Sequence, residues 1–142
     1  MKVKDIMTAR VVAMETDASV AAVARRMRDE RVGSVLLTRE GQLVGMVTDR
    51  QIAHTVVADG LDPNLVSVSD IMFTDFIPLD PEMDLLVAVR LQRELAMRRL
   101  PVVDDGVIVG IMSVSDIASF TKELIDCILV EGEVRVLRRG DA

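Results

Sequence analysis

Two short stretches carry side chains whose types and spacing suit ligand chemistry. Ser113-Val114-Ser115-Asp116 places a hydroxyl three residues ahead of a carboxylate, and Thr48-Asp49-Arg50-Gln51 repeats the pattern with an amide in the carboxylate's place. Each follows an apolar run that reads as a strand and precedes a stretch that reads as a helix. A hydroxyl and free N–H groups at a helix N-terminus make an anion site. A carboxylate one turn later accepts hydrogen bonds from two neighbouring hydroxyls, because an ionised carboxylate offers several acceptor positions. The same spacing is that of a capping box, in which both side chains satisfy backbone donors. The sequence leaves both readings open, since one hydroxyl can cap a helix and touch a ligand.

Catalytic chemistry is poorly supplied. The chain has a single His, His54, and a single Cys, Cys127, so one copy can build neither an internal disulfide nor a zinc site from them. There is no Ser/His/Asp set, no phosphate-binding P-loop and no dinucleotide glycine fingerprint, which argues against an enzyme. His54 reads as a surface or interface residue rather than a phosphate contact, and Arg50, beside the second motif, as solvated or as a contact to a ligand's phosphate. Met46, Met72, Met83, Met97 and Met112 fall in or beside apolar patterns and read as core filler.

The formal net charge of −6 argues against nucleic acid. Basic residues cluster at Arg25, Arg26, Arg28 and Arg31, and at Arg90, Arg93, Arg98 and Arg99. Acidic neighbours make these read as solvated faces or a partner interface. No signal peptide and no apolar run long enough to span a bilayer is present, so a cytoplasmic location away from membranes is expected.

The elements that must position the two motifs are written twice. Asp5-Ile6-Met7 recurs as Asp70-Ile71-Met72, Gly45-Met46-Val47-Thr48 as Gly110-Ile111-Met112-Ser113, and Ile52-Ala53 as Ile117-Ala118, all at one numbering offset, 65. Between them Ser34-Val35 matches best with Pro101-Val102, at an offset of 67. In the first copy Val11–Met14 reads as a strand. Thr16 and Asp17 offer an N-cap, and Val20, Val23, Ala24 and Met27 follow at helical spacing. Two strands around Glu40-Gly41 read as a hairpin, and a second helix runs from Thr48 to about Gly60. In the second copy Phe76–Leu79 leads to Asp80 as N-cap with Pro81 at the first helical position. A helix, a hairpin around Asp105-Gly106 and a last helix from Val114 to about Cys127 complete it.

Residues 1–60 therefore form one repeat and 68–127 another, with 61–67 as linker. Residues 128–142 form a tail that alternates weakly and suits an extra strand. The fold class is α/β, two β-α-β-β-α repeats packed through their sheets about a pseudo-two-fold axis. Each copy is small for a stable core of its own, so the two are expected to share one.

This order, opened by Asp5-Ile6-Met7-Thr8 and closed by a Gly-apolar-apolar-Thr/Ser-x-x-Asp element, resembles the CBS domain, named after cystathionine β-synthase and found as tandem pairs called Bateman modules. The resemblance covers roughly Val3 to Thr121 and rests on the recurrence of short motifs in order. It implies two clefts between the repeats, an adenine nucleotide (AMP, ADP or ATP) or S-adenosylmethionine as regulatory ligand, no required cofactor, a homodimer, and a separate protein as target. In the family each cleft joins the Thr/Ser-x-x-Asp of one repeat to the leading segment of the other. The resemblance thus places phosphate at Ser113 and ribose at Asp116. It sets Thr8 near the ligand and Val11 and Val12 along the base, with Val32-Gly33 closing over the adenine. The second cleft would join Thr48 and Gln51 to Phe73 and Phe76. There Gln51 stands where the ribose carboxylate is expected, and two rings replace smaller residues, to fill the pocket or to stack on a base, so this cleft is expected to be degenerate. An alternative implied role is an interaction module with empty clefts.

Overall fold

The computed structural model describes residues 1–140, with side chains to Val130. The first repeat contains β1 (Ala13–Glu15), α1 (Val20–Glu30), β2 (Ser34–Arg39), β3 (Gln42–Thr48) and α2 (Asp49–Ile52), which continues as a π-helical turn over Ala53–Val57. The second contains α3 (Leu85–Glu94), β4 (Arg99–Asp104), β5 (Val107–Ser113) and α4 (Val114–Gly140). A 3-10 turn opens each repeat, at Val3–Asp5 and Val68–Asp70.

Every paired element keeps the offset of 65 from its counterpart, strands included: β2 begins at Ser34 and β4 at Arg99, opposite Thr48 and Ser113 in their hairpins. No shift to 67 is needed. The apolar letters of Val35 and Val102 suggested one, but the register is fixed by the turns. Glu40-Gly41 and Asp105-Gly106 both take positive φ (53° and 78°, 48° and 81°), the mirror-image turn that suits the twist of a two-residue hairpin.

Both first helices start later than the capping letters suggest. Ser19, not Thr16 or Asp17, caps α1 by accepting from Ala22 N at 3.1 Å. Thr16 is buried, its N–H held by the Thr38 carbonyl as the chain leaves β1. Asp84, not Asp80, caps α3 by accepting from Leu86 N and Val87 N. Asp80 instead closes a turn by accepting from Glu82 N, and Pro81 lies within that turn. The strand expected over Phe76–Leu79 is reduced to a bridge between Leu79 and Val102. Pro78 and Pro101 each lack a ladder donor there. The tail does not form an extra strand: α4 runs on through Gly140.

Two apolar clusters form rather than one shared core. Val12, Val23, Met27, Val35, Leu37 and Val47 build the first, and Leu79, Ala88, Leu100, Val102 and Met112 the second. Each is completed from the other repeat. Val68 enters the first cluster and Val3 the second, both fully buried. Backbone bonds seat these turns: Val3 N to Met83 O at 2.9 Å, and Val68 N to Ala18 O at 2.9 Å. The leading segments then cross onto the opposite hairpins, where Thr8 bridges Ile111 and Phe73 bridges Met46.

Candidate functional site

The crossings create two related clefts. In the first, Thr8, Ser113 and Asp116 converge. Ser113 N and Oγ donate to Asp116 Oδ2 at 2.7 and 2.9 Å, and Asp116 N donates back to Ser113 Oγ at 3.1 Å. The capping box is therefore formed. Thr8 Oγ1 donates to the other carboxylate oxygen at 2.9 Å, so both oxygens of Asp116 are engaged within the chain. Asp116 is half-buried and Thr8 exposed, which leaves the trio open to solvent. Thr8 reaches it because Gly110 lets the leading segment lie flat on β5: a Cβ there would stand 2.9 Å from the Thr8 carbonyl.

The other residues expected around this trio have these surroundings. Val12 is 6% exposed and belongs to the first apolar cluster, since its carbonyl pairs with Leu36 N and fixes its side chain inward. It lines no cleft. Val11 is half-buried. Val32 packs on the first cluster, and Gly33 lies against Arg99 of the other repeat. Arg10 is taken up by an ion pair with Glu30, whose carboxyl is held below its ordinary value chiefly by that hydrogen bond.

The second cleft holds a cavity of about 440 Å³ between the repeats, lined among others by Thr48, Arg50, Phe73, Asp75, Arg98 and Arg99. Thr48 caps α2 by accepting from Gln51 N at 3.2 Å. Gln51 turns its amide nitrogen away to the Ile71 carbonyl, and its Oε1 is buried without a hydrogen-bond partner. Phe73 is 44% exposed and forms a wall of the cavity without filling it. Phe76 does not reach this cleft. It packs on the second apolar cluster and lines a smaller cavity beside Gln42, Leu43 and Val44.

Strand starts reach this cleft through a backbone device. Arg31 and Ala96, at the ends of α1 and α3, take φ of 56° and 52°. The following N–H bonds back into the helix, Val32 N to Met27 O and Met97 N to Gln92 O, the pattern that ends a helix abruptly. In the second repeat this turn delivers Arg98 and Arg99 to the cavity. Sequence reasoning missed both residues and Asp75. The signal was present: at an offset of 65, Arg98 faces Gly33 in the alignment of the copies, a contrast that an offset of 67 hides by pairing Arg98 with Arg31.

His54 and Cys127 are exposed. Among the described residues no group of three His, Cys, Asp or Glu side chains could hold a metal ion, and no helix is long and apolar enough to cross a membrane.

Fold and clefts together define a duplicated α/β module whose halves are interlocked and whose cavities lie between them. The chain matches the CBS domain at residues 3–58 and again at 68–123. It belongs to the CBS domain family, as a tandem pair. It is 36% identical over 116 residues to the CBS domain-containing protein YhcV of Bacillus subtilis, covering 82% of each chain. It is 30% identical over 121 residues to Hypoxic response protein 1 of Mycobacterium tuberculosis, covering 84% of this chain and 85% of that one. Among solved structures it resembles the CBS domain pair of protein MJ0100 in complex with 5′-methylthioadenosine and S-adenosyl-L-methionine, with a TM-score of 0.78 and 22% identity over 87% of this chain and 97% of that one.

Proposed function

We propose that the chain is a regulatory module that binds an adenine nucleotide between its repeats and signals to a separate protein through the resulting change in shape. The observation that carries this reading is the cavity between the repeats, which has an aromatic wall, a helix-capping hydroxyl and three guanidinium groups around it. Phe73 offers a face for a base, and the arginines offer donors for phosphate. The adenosine compounds bound by the CBS domain pair of MJ0100 fit the same reading. The trio of Thr8, Ser113 and Asp116 is a second candidate position, favoured by the convergence of two hydroxyls and a carboxylate at 2.9 Å. A ribose there would have to displace the Thr8 hydroxyl. Because each core is completed by the other repeat, a ligand wedged between them acts on both. It shifts the shape only by its differential affinity for the two arrangements.

The test is a thermal melt of the full chain with millimolar AMP, ADP, ATP or S-adenosylmethionine. A ligand present in about 100-fold excess over its Kd stabilises by about 2.7 kcal/mol and raises Tm by roughly 10 °C for a chain of this size. No shift with any of the four would leave a dimerisation or interaction module with empty clefts as the better reading.

A further inference from the structure

The common offset of 65 allows the linings of the two clefts to be compared position by position. Arg98 answers to Gly33, Arg99 to Ser34 and Arg50 to Ser115, while Asp75 answers to Arg10 and Gln51 to Asp116. Every one of these positions differs in charge between the clefts. Arg50, Arg98, Arg99 and Asp75 all line the 440 Å³ cavity. Among the described residues none of these four forms an ion pair, whereas Arg10, the counterpart of Asp75, is taken by Glu30. Asp49 and Arg99 both approach Gly33, but no ion pair closes between them.

Three guanidinium groups thus face one lining carboxylate, in a chain whose net charge is −6. Like charges gathered at one cavity repel one another, and an anion between them removes that repulsion. The planar fork of each guanidinium suits phosphate oxygens. The carboxylate that would favour a sugar diol is missing here, since Gln51 stands in its place and its Oε1 is buried. We propose that this cleft grips its ligand by a di- or triphosphate group through Arg50, Arg98 and Arg99. It discriminates against cationic or uncharged adenosine compounds such as S-adenosylmethionine and 5′-methylthioadenosine. The proposal rests on the nucleotide reading above and narrows it to a charge class.

The experiment is isothermal titration of the full chain with ATP, AMP, S-adenosylmethionine and inorganic tripolyphosphate, at low and high salt, for the wild type, R50Q and R98Q. Both arginines are exposed, and a circular dichroism melt checks that the variants fold. ATP is expected to bind at least ten-fold tighter than AMP, and S-adenosylmethionine to give no heat. Tripolyphosphate should displace ATP. Each substitution should weaken ATP by about ten-fold or more, the scale of one charge-assisted hydrogen bond, and flatten its salt dependence. Equal ATP affinity in the wild type and both variants, or S-adenosylmethionine displacing ATP as effectively as tripolyphosphate does, overturns the charge class and leaves the nucleotide reading standing. Arginine-dependent binding of tripolyphosphate with ATP no tighter supports the grip and removes adenine from it. No binding by any of the four overturns both.

Discussion

Replacing Gly110 by Ala tests how the repeats are locked together. The added Cβ would lie 2.9 Å from the Thr8 carbonyl oxygen and 2.7 Å from Met7 Sδ. The thioether can swing aside, but the carbonyl cannot move without the backbone. Ordinary contact begins near 3.4 Å, so the strand must part until the carbonyl clears that distance. The two bonds that tie Thr8 to Ile111, at 2.9 and 3.0 Å, span the widened gap. Each contributes about 1 kcal/mol, and crowding a packed site costs about 1–3 kcal/mol, so a loss of roughly 2–4 kcal/mol is expected. Gly45→Ala should cost less, about 1–2 kcal/mol, because the nearest backbone oxygen, that of Phe73, stands at 3.1 Å and the closest atom belongs to the flexible Met72. Gly41→Ala isolates conformation from crowding. Its φ is +78° and nothing lies within 4 Å, so about 1 kcal/mol is expected. The chain has no Trp or Tyr, so urea unfolding is followed by far-UV circular dichroism, with midpoints compared at constant slope. A Gly110→Ala protein within about 0.5 kcal/mol of wild type, the range of a neutral surface change, would refute the reasoning. So would one less affected than Gly41→Ala.

Two further expectations concern the repeat boundary and the cleft. Lys2 and Lys4 donate to Glu82 of the other repeat and hold its carboxyl down from the ordinary 4.5 to about 2, mainly through those hydrogen bonds. A lowered folded-state value means stabilisation that is complete above 4.5 and fades as pH falls toward 2. The difference in urea midpoint between wild type and Glu82→Gln should therefore shrink over that window, and a difference that stays constant across it would count against the pairing. Ala96 sits at φ 52° beside the cavity. Ala96→Gly should stabilise by about 0.5–1 kcal/mol in the same assay, the left-handed strain relieved less the entropy of glycine, and a destabilised variant would contradict this.

Much of the fold was legible because it was repeated. Asp-Ile-Met, the hairpin glycines and the motif at 110–116 fixed the order of elements and the symmetry. Capping residues were less legible. Asp80 and Thr16 are good caps by type, but what decides is which residue's backbone is already committed elsewhere, as Thr16 is to Thr38. The tail misled because weak alternation over a few residues does not outweigh a helix already under way at Val114. For the site, Ser113 and Asp116 were legible from their types and spacing, and Thr8 beside them only through the family resemblance. The burial of Val12 was not, because a β-branched residue leading into a strand reads alike whether it faces a cleft or a core. Arg98 and Arg99 were hidden by an alignment of the copies that maximised apolar matches across β2 and β4. Only hairpin register exposes them.

The exchange of Val3 and Val68 has a consequence for how the chain is made. During synthesis the first repeat emerges with its core open, for Val68 comes only after that repeat has ended. The Val3 segment precedes the first repeat's core and has no seat until Leu79 to Met112 has followed it. Neither half can finish before the other has begun, so folding waits on contacts between distant parts of the sequence, a condition that slows a chain. A nascent fragment released at the end of the first repeat would carry an unfilled core and a loose leading turn, each seeking its complement. Another such fragment offers only the counterpart of one of them, its own Val3 turn in place of Val68.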